Sequence, residues 1–396
     1  MFEEQMLKSR FNSRIILSLL IVLSITFVLS LFVMQLAAGI LFVLWLFEKH
    51  DQRKKAFDII LKFIVVFGLV RLISIFLSEY PQSSYESFYK EGLFYTSAAV
   101  IPFYLKTLGK KSIQTLMLAF IIGAAVMSLV GSIRFFLNDV ERAQAFTSSY
   151  AVFSSYLLAA FSVALFYPKR IKSNSQILLW SAIYIIILIG IVTSLGRANI
   201  AIALLILVTA ILFKQIPLKQ IFILGMFFLI GTLIYINNPP ASMEQRVENI
   251  TQLSDRDIIW QGAKEIGLIH PLLGYGPRTL HQVFPCKEKI AYKGRGGWHN
   301  DFLQIYFESG IVGIISFIVL LWAIIKTSLS QIRNKKADAE LKSLSASVLA
   351  SVIALVLSGL FAGFITSVVL SIVFVFLISF LSRIDIEMSI DQNISN

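Results

Sequence analysis

Cysteine and charged side chains are scarce in this sequence. Its 396 residues include one cysteine, and only 15% are Asp, Glu, Lys or Arg. The single thiol, Cys286, cannot form a disulfide within the chain and has no neighbours at metal-ligand spacing. Phosphate-cradling glycine loops, His-Glu-x-x-His motifs, nucleophile elbows and dinucleotide fingerprints are also missing, which argues against the common nucleotide-binding, zinc-hydrolase and serine-hydrolase classes.

Long apolar runs are abundant instead. Hydrophobic residues make up 57% of the chain and the mean hydropathy is +0.78. Many runs are long enough to cross a hydrocarbon core of about 30 Å as helices, so we predict an all-α polytopic membrane protein with about twelve transmembrane helices. The predicted spans are a pair between residues 14 and 47, then about 56–78, 93–107, 113–136, 149–167, 176–194, 198–213, 218–236, 302–325, 343–361 and 363–382.

Cationic side chains are concentrated in alternate connections between these spans. The formal charge is +12, but in a membrane protein Lys and Arg collect in cytoplasmic loops, so the charge indicates orientation rather than nucleic-acid binding. The sequence therefore predicts that both termini are cytoplasmic. The basic connections contain Lys49, Arg53, Lys54 and Lys55; Lys106, Lys110 and Lys111; Lys169, Arg170 and Lys172; Lys214 and Lys219; and Lys326, Arg333, Lys335, Lys336 and Lys342.

One connection, residues 237–301, is much longer than the others and is predicted to lie outside the cytoplasm. A polar segment of this length in a tightly connected bundle is usually functional. It contains a predicted amphipathic helix that begins after Ser254 and stops before Pro271, followed by glycine turns. The chain thus divides into nine spans (residues 1–236), the long loop (237–301), three further spans (302–382) and a cytoplasmic tail (383–396).

His299 lies where this loop meets the tenth span. The positive end of a helix dipole disfavours the imidazolium form, and a neutral imidazole is what a general base requires. The alternative interpretation is that His299 only caps the helix, as Asn300 or Asp301 also could, and spacing alone favours the cap.

A polar stripe follows on the same predicted helix. Asn300, Gln304 and Glu308 recur every four residues and must face protein or water. Glu308 is costly to bury as an anion, and Arg71, inside the third span, is one candidate partner. An internal structural pair is the simpler interpretation of these two charges.

Several arginines on the outer side are candidates for binding phosphate. Arg197 lies in a short turn, and Arg256 lies in the first turn of the loop helix, where the helix dipole favours acids. Snorkelling to lipid headgroups is the alternative for Arg197, and a solvated surface is the alternative for Arg256. Arg278, Lys293 and Arg295 are weaker candidates for meeting an anionic acceptor.

Four segments together resemble the bacterial O-antigen ligase and polymerase superfamily. They are Ser194-Leu195-Gly196-Arg197-Ala198, Arg256-Asp257-Ile258-Ile259-Trp260, the turn Pro271-Leu272-Leu273-Gly274-Tyr275-Gly276, and Trp298-His299-Asn300-Asp301-Phe302-Leu303 leading to Glu308-Ser309-Gly310-Ile311-Val312-Gly313. Their order, spacing and common placement on the outer side carry the resemblance, which also favours a functional role for His299 over a cap.

The resemblance implies a GT-C-like glycosyltransferase of the bacterial inner membrane that acts at the periplasmic face. Its donor would be O-antigen linked to undecaprenyl diphosphate, and its acceptor the lipid A-core oligosaccharide. His299 would be the general base and Arg197 and Arg256 would bind the donor diphosphate, with Trp298, Asn300, Glu308 and Arg71 in support. No metal ion, nucleotide or other cofactor is implied.

Other functions remain open at this point. A polymerase that extends lipid-linked repeats is the closest alternative, followed by a protein O-oligosaccharyltransferase; these differ from a ligase only in the acceptor. A lipid-glycan flippase is the alternative without chemistry. Transporters usually place polar groups near the midplane of internal repeats, whereas the polar residues here collect in and beside the outer loop.

Overall fold

The computed structural model describes residues 9–146, 149–169, 171, 173–237, 256–285, 288–289 and 297–395. Within these ranges every regular element is a helix. The helices are α1 (Ser13–Thr26), α2 (Leu31–Leu46), α3 (His50–Lys55), α4 (Ile59–Phe76), α5 (Pro81–Thr107), α6 (Lys110–Phe136), α7 (Tyr150–Phe166), α8 (Asn174–Thr193), α9 (Arg197–Leu212), α10 (Leu218–Asn237), α11 (Arg256–Ile266), α12 (Leu280–Val283), α13 (Asp301–Arg333), α14 (Ala339–Gly359) and α15 (Val368–Ser395).

The length and composition of the helices fit a multi-pass membrane protein. Six of the described helices, α4, α6, α8, α13, α14 and α15, are long and apolar enough to cross a membrane. Five more, α1, α2, α7, α9 and α10, are apolar but shorter. The all-helical membrane class is therefore confirmed, while the number of twelve spans remains a prediction.

Two helices form the centre of the bundle. Every residue from 153 to 166 of α7 and from 369 to 384 of α15 is buried. The most extensive helix pairs place α14 along α7, α15 along α5 and α13 along α4. Such helices are hydrophobic all round because protein surrounds them on every side.

Successive long helices carry the chain back and forth, so their connections collect at two ends. We call one end the site end; it carries residues 137–146, 194–196, 256–285, 297–300 and 360–367. We call the other the basic end; it carries residues 108–109, 167–169, 213–217 and 334–338. This grouping matches the predicted alternation of basic and other connections.

Some helix boundaries differ from the prediction. α5 begins at Pro81, not near residue 93, since proline fits the first turn of a helix and the polar side chains of Ser84, Ser87 and Glu91 are buried against protein. The loop helix α11 ends at Ile266, beside Gly267 and before the predicted stop at Pro271. α15 continues to Ser395, so the segment after Arg383 is helical.

Candidate functional site

Helix α13 is interrupted at Gly310, which has φ 64° and ψ −164°. The break frees carbonyl groups just before it, and the preceding loop bonds to them. The backbone N–H of Tyr275 donates to the oxygen of Phe307 at 2.7 Å, and that of Gly276 donates to the oxygen of Glu308 at 3.1 Å. The short helix 301–309 is thereby joined to the loop and forms a platform at the site end.

The residue before His299 is fixed by the platform. Trp298 is buried and stacks on Phe307, with ring centroids 3.9 Å apart and planes at 12°. Its backbone N–H donates to Oε1 of Gln304 at 2.9 Å. These contacts hold the entry to α13 in one position.

Asn300, rather than His299, caps α13. The Asn300 Oδ1 accepts hydrogen bonds from the backbone N–H of Phe302 at 2.8 Å and of Leu303 at 3.1 Å. His299 is half-buried and has φ 51°, a left-handed conformation that few residues other than glycine adopt. Because Asn300 serves as the cap, the imidazole of His299 is not needed for that role, and strained backbone of this kind is concentrated at functional sites.

The connection between α14 and α15, residues 360–367, lies directly against this turn. The buried carboxylate of Asp301 accepts from the backbone N–H of Phe364 at 2.9 Å and of Ile365 at 3.2 Å. Nδ2 of Asn300 donates to the oxygen of Leu360 at 3.1 Å. Both residues that follow His299 are therefore tied to residues 360–365.

Arg256 reaches the same connection from α11. Its Nη2 donates to the oxygen of Phe361 at 2.8 Å, and its guanidinium carbon lies 5.2 Å from the centre of the Phe361 ring. The apolar face of α11, with Ile259 and Ile266 buried, packs in one cluster with Trp298. The predicted amphipathic helix is thus present. Arg256 at its start and Asn300 in the turn at His299 both donate hydrogen bonds to the connection of residues 360–367.

Arg197 is the first residue of α9 and is half-buried at the site end. Two residues later, Nδ2 of Asn199 donates to Oγ of Ser154 at 2.7 Å, while Oγ of Ser358 donates to Oδ1 of Asn199 at 2.8 Å. Ser358 stands two residues before Leu360. The start of α9 is therefore linked to the connection that also contacts Arg256 and Asn300.

Three buried charged side chains, Arg71, Glu91 and Glu308, are joined by ion pairs beside the platform, and we call them the ion triad. Arg71 donates to Glu91 through Nε at 2.8 Å and through Nη2 at 2.7 Å, and its Nη2 also donates to Oε2 of Glu308 at 2.8 Å. All three side chains are at least nine-tenths buried. The predicted pair between Arg71 and Glu308 is present, and Glu91 of α5 is an additional member.

The ion triad is connected to the turn at His299. Oε1 of Glu308 accepts from the side chain of Gln304, whose own oxygen accepts from the backbone of Trp298. The same Glu308 oxygen accepts from the backbone N–H of Arg278 at 2.8 Å. The stripe of Gln304 and Glu308 therefore faces protein, as predicted, and positions both the turn and the loop.

Residues 145–318 match a family described as O-Antigen ligase, Wzy_C. The match supports the assignment of this region to the O-antigen ligase/polymerase superfamily. The match runs from just before α7 to just beyond the break in α13, so it contains Arg197, Arg256 and His299. No curated protein shows significant similarity to the chain.

The three weaker candidates for meeting an anionic acceptor, Arg278, Lys293 and Arg295, remain predictions. Lys293 and Arg295 lie outside the described residues. Arg278 has a left-handed backbone, with φ 62°, and its N–H bond to Glu308 shows a role in holding the loop. Its proposed contact with an acceptor remains a prediction.

The structure also shows residues that the sequence interpretation missed. Arg142 donates from Nε to the oxygen of Ser194 at 2.8 Å, and its guanidinium lies 3.1 Å from the centre of the Tyr150 ring. It therefore lies against the turn that precedes Arg197. A lone arginine in a short connection of mixed charge has no periodic pattern that would predict its role. Residues 360–365 act through backbone groups, and backbone contacts leave no pattern in the sequence.

Proposed function

We propose that this protein is an O-antigen ligase, which transfers a glycan from undecaprenyl diphosphate to the lipid A-core oligosaccharide. The superfamily match supports transfer of lipid-linked glycans in general terms. The observation that carries the proposal is the arrangement of the turn at His299: Asn300 takes the capping role, and the strained His299 lies beside a connection that Arg256 also contacts.

In the proposed mechanism His299 removes the proton from a hydroxyl of the acceptor sugar as that oxygen attacks the anomeric carbon of the donor. The N-terminus of the platform helix disfavours the imidazolium form, and the neutral imidazole is the form that can accept a proton. A single displacement inverts the anomeric centre. The acceptor proton moves to His299, and the electron pair of the broken bond between the anomeric carbon and the phosphate oxygen leaves with the diphosphate.

Arg197 and Arg256 would stabilise the diphosphate as its negative charge develops. A guanidinium presents several N–H donors in a fixed plane and binds phosphate oxygens in pairs. Fixed cations placed where charge appears lower the barrier most when they do not need to reorganise. The bond between Arg256 and the Phe361 oxygen provides that fixation. Since the diphosphate is already a good leaving group, the proposal needs no nucleotide and no metal ion.

The proposed orientation places the site end in the periplasm and the basic end in the cytoplasm of a bacterial inner membrane, with both termini cytoplasmic. The distribution of Lys and Arg supports it, because connections at the basic end hold Lys110, Lys111, Lys169 and Lys214.

The test is a transfer assay with the full-length protein in detergent. Undecaprenyl-diphosphate-linked glycan is supplied with lipid A-core in one reaction and without it in another, and EDTA is present in both. Product on lipid A-core is expected. Lengthening of the lipid-linked glycan alone would identify a polymerase, and no product in either reaction would contradict both assignments.

A further inference from the structure

The basic end contains an open cavity of about 1090 Å³. Four connections meet around it: α5–α6, α7–α8, α9–α10 and α13–α14. Its charged lining residues are Lys110, Lys111, Lys169, Lys214, Asp338 and Glu340. Among the described lining residues lysines outnumber carboxylates, which leaves an excess of positive charge in a space large enough for a small anionic group.

Lys110 and Lys111 occupy the first turn of α6, where the helix dipole favours negative charge. The N-cap residue Gly109 provides no side-chain hydrogen bond to the first amides. Lys110 is paired with Asp338 at 2.8 Å, whereas Lys111 is exposed on the cavity lining. An anion in the cavity would interact favourably with the positive end of the α6 dipole and with the ammonium group of Lys111.

Lys169 is held in place next to the cavity. Its ammonium donates to the oxygen of Leu165 at 2.8 Å and to the hydroxyl of Tyr184. Burial lowers the pKa of the Lys169 ammonium to about 7, because desolvation disfavours the charged form. A negative group nearby would stabilise the charged form.

Lys214 adopts a conformation that is unusual for a lysine. It follows the last residues of α9 with φ 55°, and the N–H of Gln215 donates to the oxygen of Ala210 at 2.9 Å, which closes the helix. Glycine is the usual residue at this position. A lysine here bears backbone strain, although its charge also favours the helix C-terminus, so the two effects must be separated by experiment.

Large apolar side chains lie exposed beside Lys214. Leu212, Phe213 and Leu218 are 74%, 69% and 83% exposed. In a membrane protein such side chains face acyl chains, so Lys214, which lies between them in the chain and lines the cavity, is expected at the margin between the headgroups and the hydrocarbon. This position favours a lipid over a free anion.

We propose that the lysine-lined cavity binds the phosphodiester headgroup of an anionic phospholipid, with the acyl chains lying against Leu212, Phe213 and Leu218. Basic pockets between transmembrane helices are suited to such headgroups. The site is at the opposite end of the bundle from His299, and the proposal is independent of the glycan-transfer chemistry.

The test is native mass spectrometry of the full-length protein in detergent with dioleoyl phosphatidylglycerol or dioleoyl phosphatidylcholine, which have the same acyl chains. Preferential binding of phosphatidylglycerol is expected. Lys111→Gln should weaken it about fivefold, the effect of one cation near an anionic lipid. Lys219→Gln is the matched control, because Lys219 lies at the same end but bonds to Asn174 and does not line the cavity.

Lys214→Gly separates binding from folding. Glycine accepts the positive φ, so thermal stability should be unchanged or higher, while phosphatidylglycerol binding should fall about fivefold. Equal binding of the two lipids, or unchanged binding in both Lys111→Gln and Lys214→Gly, would overturn the proposal. Inorganic phosphate that binds as strongly as phosphatidylglycerol would overturn the lipid assignment.

Discussion

The two ends of the bundle hold their cations in different ways. At the site end the cations that contact the platform and its neighbouring connection are arginines: Arg256 bonds to the oxygen of Phe361, and Arg71 bonds to two carboxylates. At the basic end the described cations that line the open cavity are lysines. Guanidinium groups fix geometry, whereas ammonium groups on flexible stems supply charge. The difference suits a reaction at one end and retention of lipid at the other.

Loss of the proposed base is the largest expected effect. His299→Ala should lower transfer about a thousandfold, because general base catalysis contributes on that order, while the amount of membrane-inserted protein stays the same. Initial rates in the lipid A-core assay provide the measurement. His281→Ala is the matched control, since His281 is an exposed histidine of α12 at the same end. Normal rates for His299→Ala would rule out the base assignment.

Removal of the central cation of the ion triad should have the largest effect on stability. Arg71→Leu leaves the buried carboxylates of Glu91 and Glu308 without their counter-ion, which should lower the free energy of unfolding by about 3 to 5 kcal/mol. Glu91→Gln leaves the guanidinium of Arg71 paired with the carboxylate of Glu308, so it should lower the free energy of unfolding clearly less than Arg71→Leu does. Equilibrium unfolding by SDS in mixed micelles compares the two. Equal losses would contradict the role of Arg71 as the shared counter-ion of the two carboxylates.

Lys and Ala variants can separate the effect of the paired hydrogen bonds of Arg197 and Arg256 from the effect of their charge. Arg197→Ala and Arg256→Ala should each lower transfer about a hundredfold, as expected for loss of one fixed donor to a developing anion. The Lys variants should retain part of the activity, because they keep the charge but lose the paired hydrogen bonds. Rates at increasing donor concentration are the measurement. Equal rates for the Lys and Ala variants would argue against a diphosphate clamp.

The cap at Asn300 has a smaller expected effect. Asn300→Ala removes the acceptor for Phe302 and Leu303 and the donor to Leu360, and loss of a cap costs about 1 kcal/mol. Asn300→Asp keeps the capping oxygen and should be milder. Unfolding midpoints and transfer rates should change together if the cap positions His299. A stability loss without any change in rate would show that the turn is held by Trp298 and Asp301 alone.

The basic end should have the smallest effect on transfer. Lys111→Gln should leave the initial rate within about twofold of the unaltered protein in detergent, since the cavity and His299 are at opposite ends of the helices. If both Lys111→Gln and Lys214→Gly lowered the transfer rate strongly, the cavity would be required for transfer, and the two ends would not have separate functions.

The helices and the polar stripe of α13 could be predicted from the sequence because they depend on periodicity. Apolar runs marked most of the spans, and the four-residue spacing of Asn300, Gln304 and Glu308 indicated a face that had to meet protein. Glu91 was missed because no periodic pattern surrounds it. It stands among polar residues of α5, where the apolar run has not begun, and only the packing of α5 on α4 brings it to Arg71.

The break in α13 and the role of residues 360–365 could not be predicted in this way. Ser309-Gly310-Ile311 lies within a run that has helical character, and the left-handed Gly310 becomes necessary only because residues 271–276 pair there. A Cβ at Gly310 would stand 2.1 Å from the Leu272 oxygen. Contacts made by backbone N–H and C=O groups, such as those from residues 360–365, depend on the fold rather than on residue type.

The ion triad also sets an order for membrane insertion. An arginine within a membrane helix is costly to insert without a partner. Glu91 follows Arg71 by 20 residues, so the hairpin of α4 and α5 can enter the bilayer as a neutral pair while the rest of the chain is still being synthesised. Glu308 arrives 237 residues after Arg71 and joins a pair that already exists. The chain order therefore predicts that the platform under His299 is completed only after α13 has been synthesised and packs against α4.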